Sequence, residues 1–268
     1  MRYIVKEFDK PLLIFSADMN SSNSNLQIEK IYEENDAFFP LNLTVSNGGL
    51  ESWLKHRVIP KNRAYVDALL SKTGLSANRP LGIIAVCKGL SLNDCYWVDS
   101  ADNESSFAKV NLYDNRFSTI LASIAFTGYG SSVRSSLFSS PEFSTNGMLP
   151  KCWRRINGKI YLYKGGTSGF SNTGFEPYSE LYAYQIAKAM EINAIRYTLT
   201  KDLKKSLCSK CELFTSKDYS YMPIGQLVRK GNMEAIREYY QTLGQSFVDA
   251  LDDMILSLIH ISEPTRHS

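Results

Sequence analysis

The chain has 268 residues, 44% of them hydrophobic and 21% charged, which is enough apolar material to bury a real core and excludes a disordered chain. No apolar run approaches the ~20 residues that a bilayer crossing needs, and no signal-type apolar block follows Met1, so a cytoplasmic location without membrane contact is expected. A formal net charge of +3 says little about partners, and an odd count of five cysteines fits a reducing compartment better than a disulfide framework.

Tyr3-Ile4-Val5 and Leu12-Leu13-Ile14-Phe15, separated by the turn-prone Asp9-Lys10-Pro11, read as paired strands. Asn20 to Asn25 reads as a polar loop and Ile28 to Tyr32 as a further strand. Leu50, Trp53 and Leu54 fall at i, i+3 and i+4, which predicts a short amphipathic helix over Gly49 to Arg57, ended by Pro60. A second helix is expected from Asn62 to Lys72, presenting Tyr65, Leu69 and Leu70 and stopping at Gly74. The pair invites a helix-turn-helix reading, but the second helix lacks a basic reading face, and direct nucleic-acid binding is disfavoured. His56, at the end of the first helix, reads as a capping residue rather than a catalytic one.

Leu81 to Cys87 is a continuous apolar run with β-branched members and predicts a buried strand, and Leu90 to Val98 and Phe107 to Leu112 are further extended candidates. Ile120, Leu121, Ile124 and Ala125 predict a helix over Ser118 to Phe126, followed by a Gly/Ser-rich linker or docking loop from Gly128 to Ser140.

The stretch from Ser144 to Glu180 carries the candidate chemistry. Polyphosphate is held by backbone N–H groups of a flexible loop, by a point positive charge, and by a carboxylate that fixes that charge. Asn157-Gly158 is a strong type I′ hairpin signal between Lys151–Ile156 and Lys159–Lys164. In the second strand Lys164 shares a face with Ile160 and Leu162, and a lysine on an apolar face needs a partner. Glu180 is the favoured one, in the first turn of a helix expected over Glu176 to Glu191 with Pro177 near its start and an apolar stripe of Leu181, Ile186, Ala187 and Met190. Glu176 is the competing carboxylate, and an ordinary surface ion pair is the plain alternative. The intervening Gly165 to Gly174 has no Gly-Lys-Ser/Thr ending and reads as a linker rather than a P-loop.

Ala194 to Leu199 is expected as a strand, and Glu212 to Ser216 as another that runs into a polar hinge. Lys201, Lys204 and Lys205 read as a solvated turn. Cys208-Ser209-Lys210-Cys211 has metal-ligand spacing, but no second Cys/His pair accompanies it, so zinc is disfavoured and no metal ligand is expected. Ile236, Tyr240, Leu243, Phe247, Leu251 and Met254 predict the longest helix, Met233 to Ile255, with a weak point at Gly244.

Taken together, four features resemble the HipA-like serine/threonine kinases, bacterial enzymes often linked to toxin-antitoxin modules. They are Ser144-x-x-Gly147-x-x-Pro150-Lys151, the strand reaching Lys164, Pro177-Tyr178-Ser179-Glu180 with its helix, and Tyr221-Met222-Pro223-Ile224-Gly225 before the long helix. The resemblance covers roughly residues 80–255. It implies an α+β, protein-kinase-like fold: an N-terminal subdomain (1–90), a connecting or docking segment (91–140), a nucleotide-binding lobe (141–218) and the start of the catalytic lobe (219–255). It further implies that Ser144, Asn146, Gly147 and Lys151 lie over the ATP phosphates, that Lys164 contacts the α/β-phosphates, that Glu180 orients Lys164, and that Ser216 to Tyr221 lies near the adenine hinge. ATP and Mg²⁺ are the implied cofactors, a protein with a Ser or Thr hydroxyl the substrate, and an antitoxin-like DNA-binding protein a candidate partner. Phosphate on Ser144 would compete with nucleotide and switch such an enzyme off.

Two departures qualify this expectation. The family's Asn-x-Asp-Arg-His-type catalytic loop and metal-binding Asp are not in the sequence, and Asp249, Asp252 and Asp253 read as solvent-facing or capping residues, so no catalytic residue is assigned. Residues 256–268 look like the translation of a sequencing-library adapter, which leaves His56 as the one histidine of a natural fragment and argues against histidine-based hydrolysis. The expectation is therefore a nucleotide-holding fragment of a kinase that does not turn over. The alternatives are a non-enzymatic DNA- or partner-binding module acting through the N-terminal helices, and a fragment with no stable fold.

Overall fold

The computed structural model describes residues 1–19, 25–132, 140–167, 173–202, 206–223, 226, 233–242, 244 and 246. They form an α+β chain with two antiparallel sheets. The chain divides into two units: Met1–Ile160 with Thr215–Ser220, and Tyr161–Phe214 with Tyr221–Ser268.

In the first unit, β1 (Arg2–Glu7), β2 (Lys10–Ser16), β3 (Gln27–Ile31) and β4 (Tyr96–Ser100) form a sheet of order β3-β2-β1-β4. Register places Tyr3 opposite Phe15, and Val5 opposite both Leu13 and Val98. That face carries the core, completed by Leu50, Trp53 and Leu54 of α1 (Asn47–Lys55), Leu69 and Leu70 of α2 (Val66–Lys72), Ile83 and Ile84 of α3 (Pro80–Cys87), and Leu121 and Ile124 of a later helix, Thr119–Thr127. The opposite face holds Trp97 against Phe107, the first residue of α4 (Phe107–Val110). The helix Thr119–Thr127 is α5, and it packs on the strand Lys151–Ile156, β5.

Local chemistry explains most boundaries. Ser46 and Ser118 cap α1 and α5 by accepting from Gly49 N and Leu121 N. His56 is the C-cap of α1, with Nδ1 2.7 Å from the Ser52 carbonyl. Helix α2 begins four residues later than expected, because Tyr65 takes a left-handed φ of 61° that no helix continues. The run Leu81–Cys87 is helical rather than extended: Pro80 fits the first helical turn, and a short helix of apolar residues, buried at Leu81, Ile83, Ile84 and Cys87 and exposed at Ala85, shows the same unbroken apolar sequence as a buried strand. The run from Phe107 is likewise a helical turn, with Phe107 N donating to Asp9 Oδ1.

The hairpin turn is as expected, with Asn157 at φ 50° and Gly158 at φ 80°. It leads into β6 (Lys159–Gly165), which belongs to the second unit from Tyr161 on. There α6 (Glu176–Ala189), β7 (Tyr197–Lys201) and β8 (Leu207–Glu212) follow, and the strands lie in the order β6-β8-β7. The strand expected at Glu212 to Ser216 is instead β8, five residues earlier at its start. The last described helix is α7 (Met233–Thr242), which buries Ile236 and Tyr240. Gly244, just past it, takes a φ of 70°. Most of the expected continuation to Ile255 lies outside the described residues, as do most of Asn20 to Asn25 and of Gly128 to Ser140's second half. Among the described residues no helix is long and apolar enough to cross a membrane.

One buried side chain ties the first unit's sheet to its helices. Arg57 donates twice to the Asp94 carboxylate at 2.8 and 2.7 Å and to the Gly89 and Tyr96 carbonyls at 2.8 Å, with its guanidinium 4.6 Å from the Trp53 ring centroid. Only a planar fork makes all of these contacts at once. Arg57→Lys is therefore expected to lower unfolding stability by about 2 kcal/mol or more, nearly as much as Arg57→Ala, as read from the shift in urea midpoint at constant m-value.

Candidate functional site

Three elements of the second unit converge on Lys164. Leu162 pairs across β8 with Cys211 and then Tyr197, and Lys164 pairs with Ser209 and then Leu199, so these side chains share one face of the sheet. Helix α6 packs on β7 and β8. Lys164 Nζ donates to Glu180 Oε1 at 2.7 Å and to the Tyr197 hydroxyl at 2.7 Å. The lysine and glutamate side chains are only 9% and 3% exposed, so this is not a surface ion pair.

Burying two ions costs several kcal/mol each, recovered only with close geometry and additional hydrogen bonds. Lys164 has that geometry, yet the site keeps open valences. Among the described residues Glu180 Oε2 has no hydrogen-bond partner, and neither does Ser209 Oγ directly across from Lys164. Burial first, then the charges of Cys211 and Glu180, hold the Tyr197 phenol well above its ordinary pKa. It is a neutral group at any physiological pH and accepts from Lys164 without cancelling its charge.

Glu176 does different work. It accepts from Thr167 N and Gly174 N at 3.1 Å and from the Thr167 hydroxyl. Desolvation pushes its carboxyl upward, but these hydrogen bonds more than offset it and leave its pKa below the ordinary value. Gly166 and Gly174 approach so closely that a Cβ on Gly166 would lie 2.6 Å from Gly174 Cα. The two ends of the Gly-rich segment, at Gly166 and Gly174, thus meet, and residues 168–172 between them lie outside the described residues.

The face that α6 buries also differs from the expected stripe. Glu176, Pro177, Glu180 and Ala187 are buried, whereas Ile186 and Met190 are 59% and 63% exposed. The anchoring of two carboxylates, to Lys164 and to the Thr167–Gly174 neck, sets the rotation of the helix against its apolar preference.

The other expected phosphate-contacting residues belong to the first unit. Ser144 is buried, with Oγ 3.4 Å from the Pro141 carbonyl; Asn146 is exposed, Gly147 half-buried and Lys151 buried. Phosphate on Ser144 would first require this turn to open. A clamp absent from the sequence expectations holds the loop: Arg63, in the turn before α2, donates to the Thr145 carbonyl at 3.0 Å and to the Lys151 carbonyl at 2.5 Å. It also faces Glu142 Oε2 at 3.5 Å, while Glu142 Oε1 accepts from Trp153 N at 2.8 Å. Burial pushes the Glu142 carboxyl up to about 7 despite Arg63. These residues are 79 to 88 positions from Arg63, so no local pattern announces the clamp.

The hinge candidate divides between the units. Ser216–Ser220 belongs to the first, where Ser216 Oγ accepts from Asp218 N and Tyr219 N, and Tyr221 belongs to the second, edge-on to Phe214 at 5.3 Å. Cys208 and Cys211 lie three apart on one strand and so point to opposite faces, which prevents them from sharing a metal. Among the described residues no group of three or more His, Cys, Asp or Glu side chains could hold a metal ion. Tyr197 is the site residue that sequence reasoning missed. Its signal is faint: an alternation of Tyr197 and Leu199 whose register through β8 only the fold supplies. The chain matches no protein-family model and no curated protein.

Two outcomes are expected. Lys164→Met or Glu180→Leu alone should destabilise by about 3–5 kcal/mol, because each strands a buried charge, whereas the double variant should be near neutral in denaturant unfolding. Because the folded Glu142 pKa lies above its ordinary 4.5, its contribution is full below pH 4.5 and is lost as pH rises through about 7. Arg63, Arg154 and Cys152 are the ionisable groups that face it. Stability should therefore fall by on the order of 2–3 kcal/mol between pH 5 and 8, and Glu142→Gln should flatten that profile in unfolding titrations.

Proposed function

We propose that Lys164 and Glu180 are the phosphate-orienting pair of the nucleotide lobe of a HipA-like serine/threonine protein kinase. The observation that carries this reading is the burial of a lysine and a glutamate, 2.7 Å apart, in a site where Glu180 Oε2 and Ser209 Oγ have no hydrogen-bond partner among the described residues. A buried ion pair adds little to stability compared with apolar residues of the same size, and a buried polar group left without a partner calls for an explanation such as a functional role. The second unit alone supports the reading.

The residues suit a nucleotide. The Lys164 ammonium has three donors and two acceptors among the described residues, which leaves one N–H for an α/β-phosphate oxygen. Glu180 holds that ammonium in place, the role such a carboxylate plays in phosphoryl transfer. In an intact kinase of this type ATP would supply the γ-phosphoryl group, Mg²⁺ would offset the charge of its phosphates, and the Ser or Thr hydroxyl of a protein would accept the group. The sequence contains no Asn-x-Asp-Arg-His loop, so binding without turnover is the activity proposed for the chain as it stands.

Calorimetric titration with Mg-ATP should show binding by the wild-type chain that weakens at least tenfold in Lys164→Met/Glu180→Leu, the double variant expected to stay folded. Equal affinity in the two proteins contradicts the reading. Labelled ATP with Mg²⁺ should give no phosphoryl transfer above background, and turnover like that of an intact kinase contradicts the second half.

A further inference from the structure

We propose that Tyr197 is a positioning residue for the Lys164 ammonium, acting with Glu180 to aim its third N–H at one point, where a phosphate oxygen of the nucleotide binds. The identity of that ligand rests on the reading above, but the positioning does not.

The inference starts from the flexibility of lysine. Its ammonium is a compact charge with three rotatable donors on a four-carbon stem. One partner, Glu180 Oε1 at 2.7 Å, leaves the stem able to pivot about that oxygen. A second acceptor at the same distance, supplied by a different element, fixes both the place of Nζ and the rotation of its protons. The remaining N–H then has a single direction, and among the described residues no acceptor meets it.

Tyr197 is suited to this in two further ways. It sits on β7, across β8 from β6, so that its ring is held by the sheet and is only 2% exposed. Its phenol is also uncharged. A second carboxylate in its place would restrain Lys164 equally well but would give the cluster a net negative charge that repels phosphate, whereas a neutral hydroxyl restrains without adding charge. Glu180 Oε2, on the carboxylate that Lys164 touches, and Ser209 Oγ, on the residue paired with Lys164 across the strands, are both buried and without partners among the described residues.

The test compares the full chain with its Tyr197→Phe variant, which keeps the ring and removes the hydroxyl. In ¹⁵N NMR of the ligand-free protein, Lys164 Nζ, assigned by its absence in the double variant Lys164→Met/Glu180→Leu, should give a slowly exchanging ammonium signal. That signal should broaden beyond detection in Tyr197→Phe, and the affinity for Mg-ATP should fall about tenfold. An unchanged Lys164 signal overturns the proposal, as does unchanged affinity when the wild-type chain binds. If the wild-type chain binds no Mg-ATP yet the Lys164 signal still depends on Tyr197, the nucleotide reading fails and the positioning role stands. Should Tyr197→Phe not fold, 3-fluorotyrosine at this position keeps the hydroxyl but weakens it as an acceptor, and a shift or no shift of the Lys164 signal decides in the same way.

Discussion

The buried contact between Lys164 and Glu180 is the constraint from which the second unit follows. A lysine on the covered face of β6 requires a carboxylate from whatever covers it, and α6 supplies one from its first turns. Meeting that requirement rotates α6 until Glu176 and Glu180 lie inward and Tyr182, Ile186 and Met190 outward. The hydrophobic effect alone would choose the reverse, at roughly 1.5–3 kcal/mol for each large apolar side chain. Hydrogen-bonded charge decides the orientation here because a stranded buried ion costs more than an exposed isoleucine or methionine.

The two carboxylates of that helix divide two tasks that the sequence presents as a choice. Glu180 holds the ammonium, and Glu176 accepts the backbone N–H groups of Thr167 and Gly174 and so draws together the ends of the Gly-rich segment. The first unit repeats the idea with opposite polarity. There a buried cation, Arg63, gathers the carbonyls of Thr145 and Lys151, so that the Ser144 to Lys151 turn is shaped by a residue from a distant part of the chain. In both cases one charged side chain directs its hydrogen bonds to backbone groups of a stretch rich in small and polar residues, at its two ends in the Gly-rich case.

What could be read from the sequence was the part dictated by local geometry. Asn157-Gly158 demands positive φ at both positions, and that turn sets the strand in which Lys164 shares a face with Ile160 and Leu162. The need for a partner, and a glutamate one turn into a proline-started helix, follow from the same local rules. What could not be read depended on register and burial. Leu81–Cys87 is apolar throughout and carries no period that separates helix from strand. Tyr197 reaches Lys164 only through the pairing of β7 with β8 and of β8 with β6. The carbonyls that Arg63 collects have no side-chain signature at all.

The role proposed for Lys164 is that of an ammonium held ready for nucleotide phosphate. The most direct measurement is labelling of the chain with a lysine-reactive acyl-phosphate derivative of ATP, followed by mass spectrometry of the modified peptides with and without competing Mg-ATP. Preferential modification of Lys164, despite its burial, and its suppression by Mg-ATP are expected. Modification confined to exposed lysines such as Lys55 and Lys217, indifferent to Mg-ATP, would contradict it.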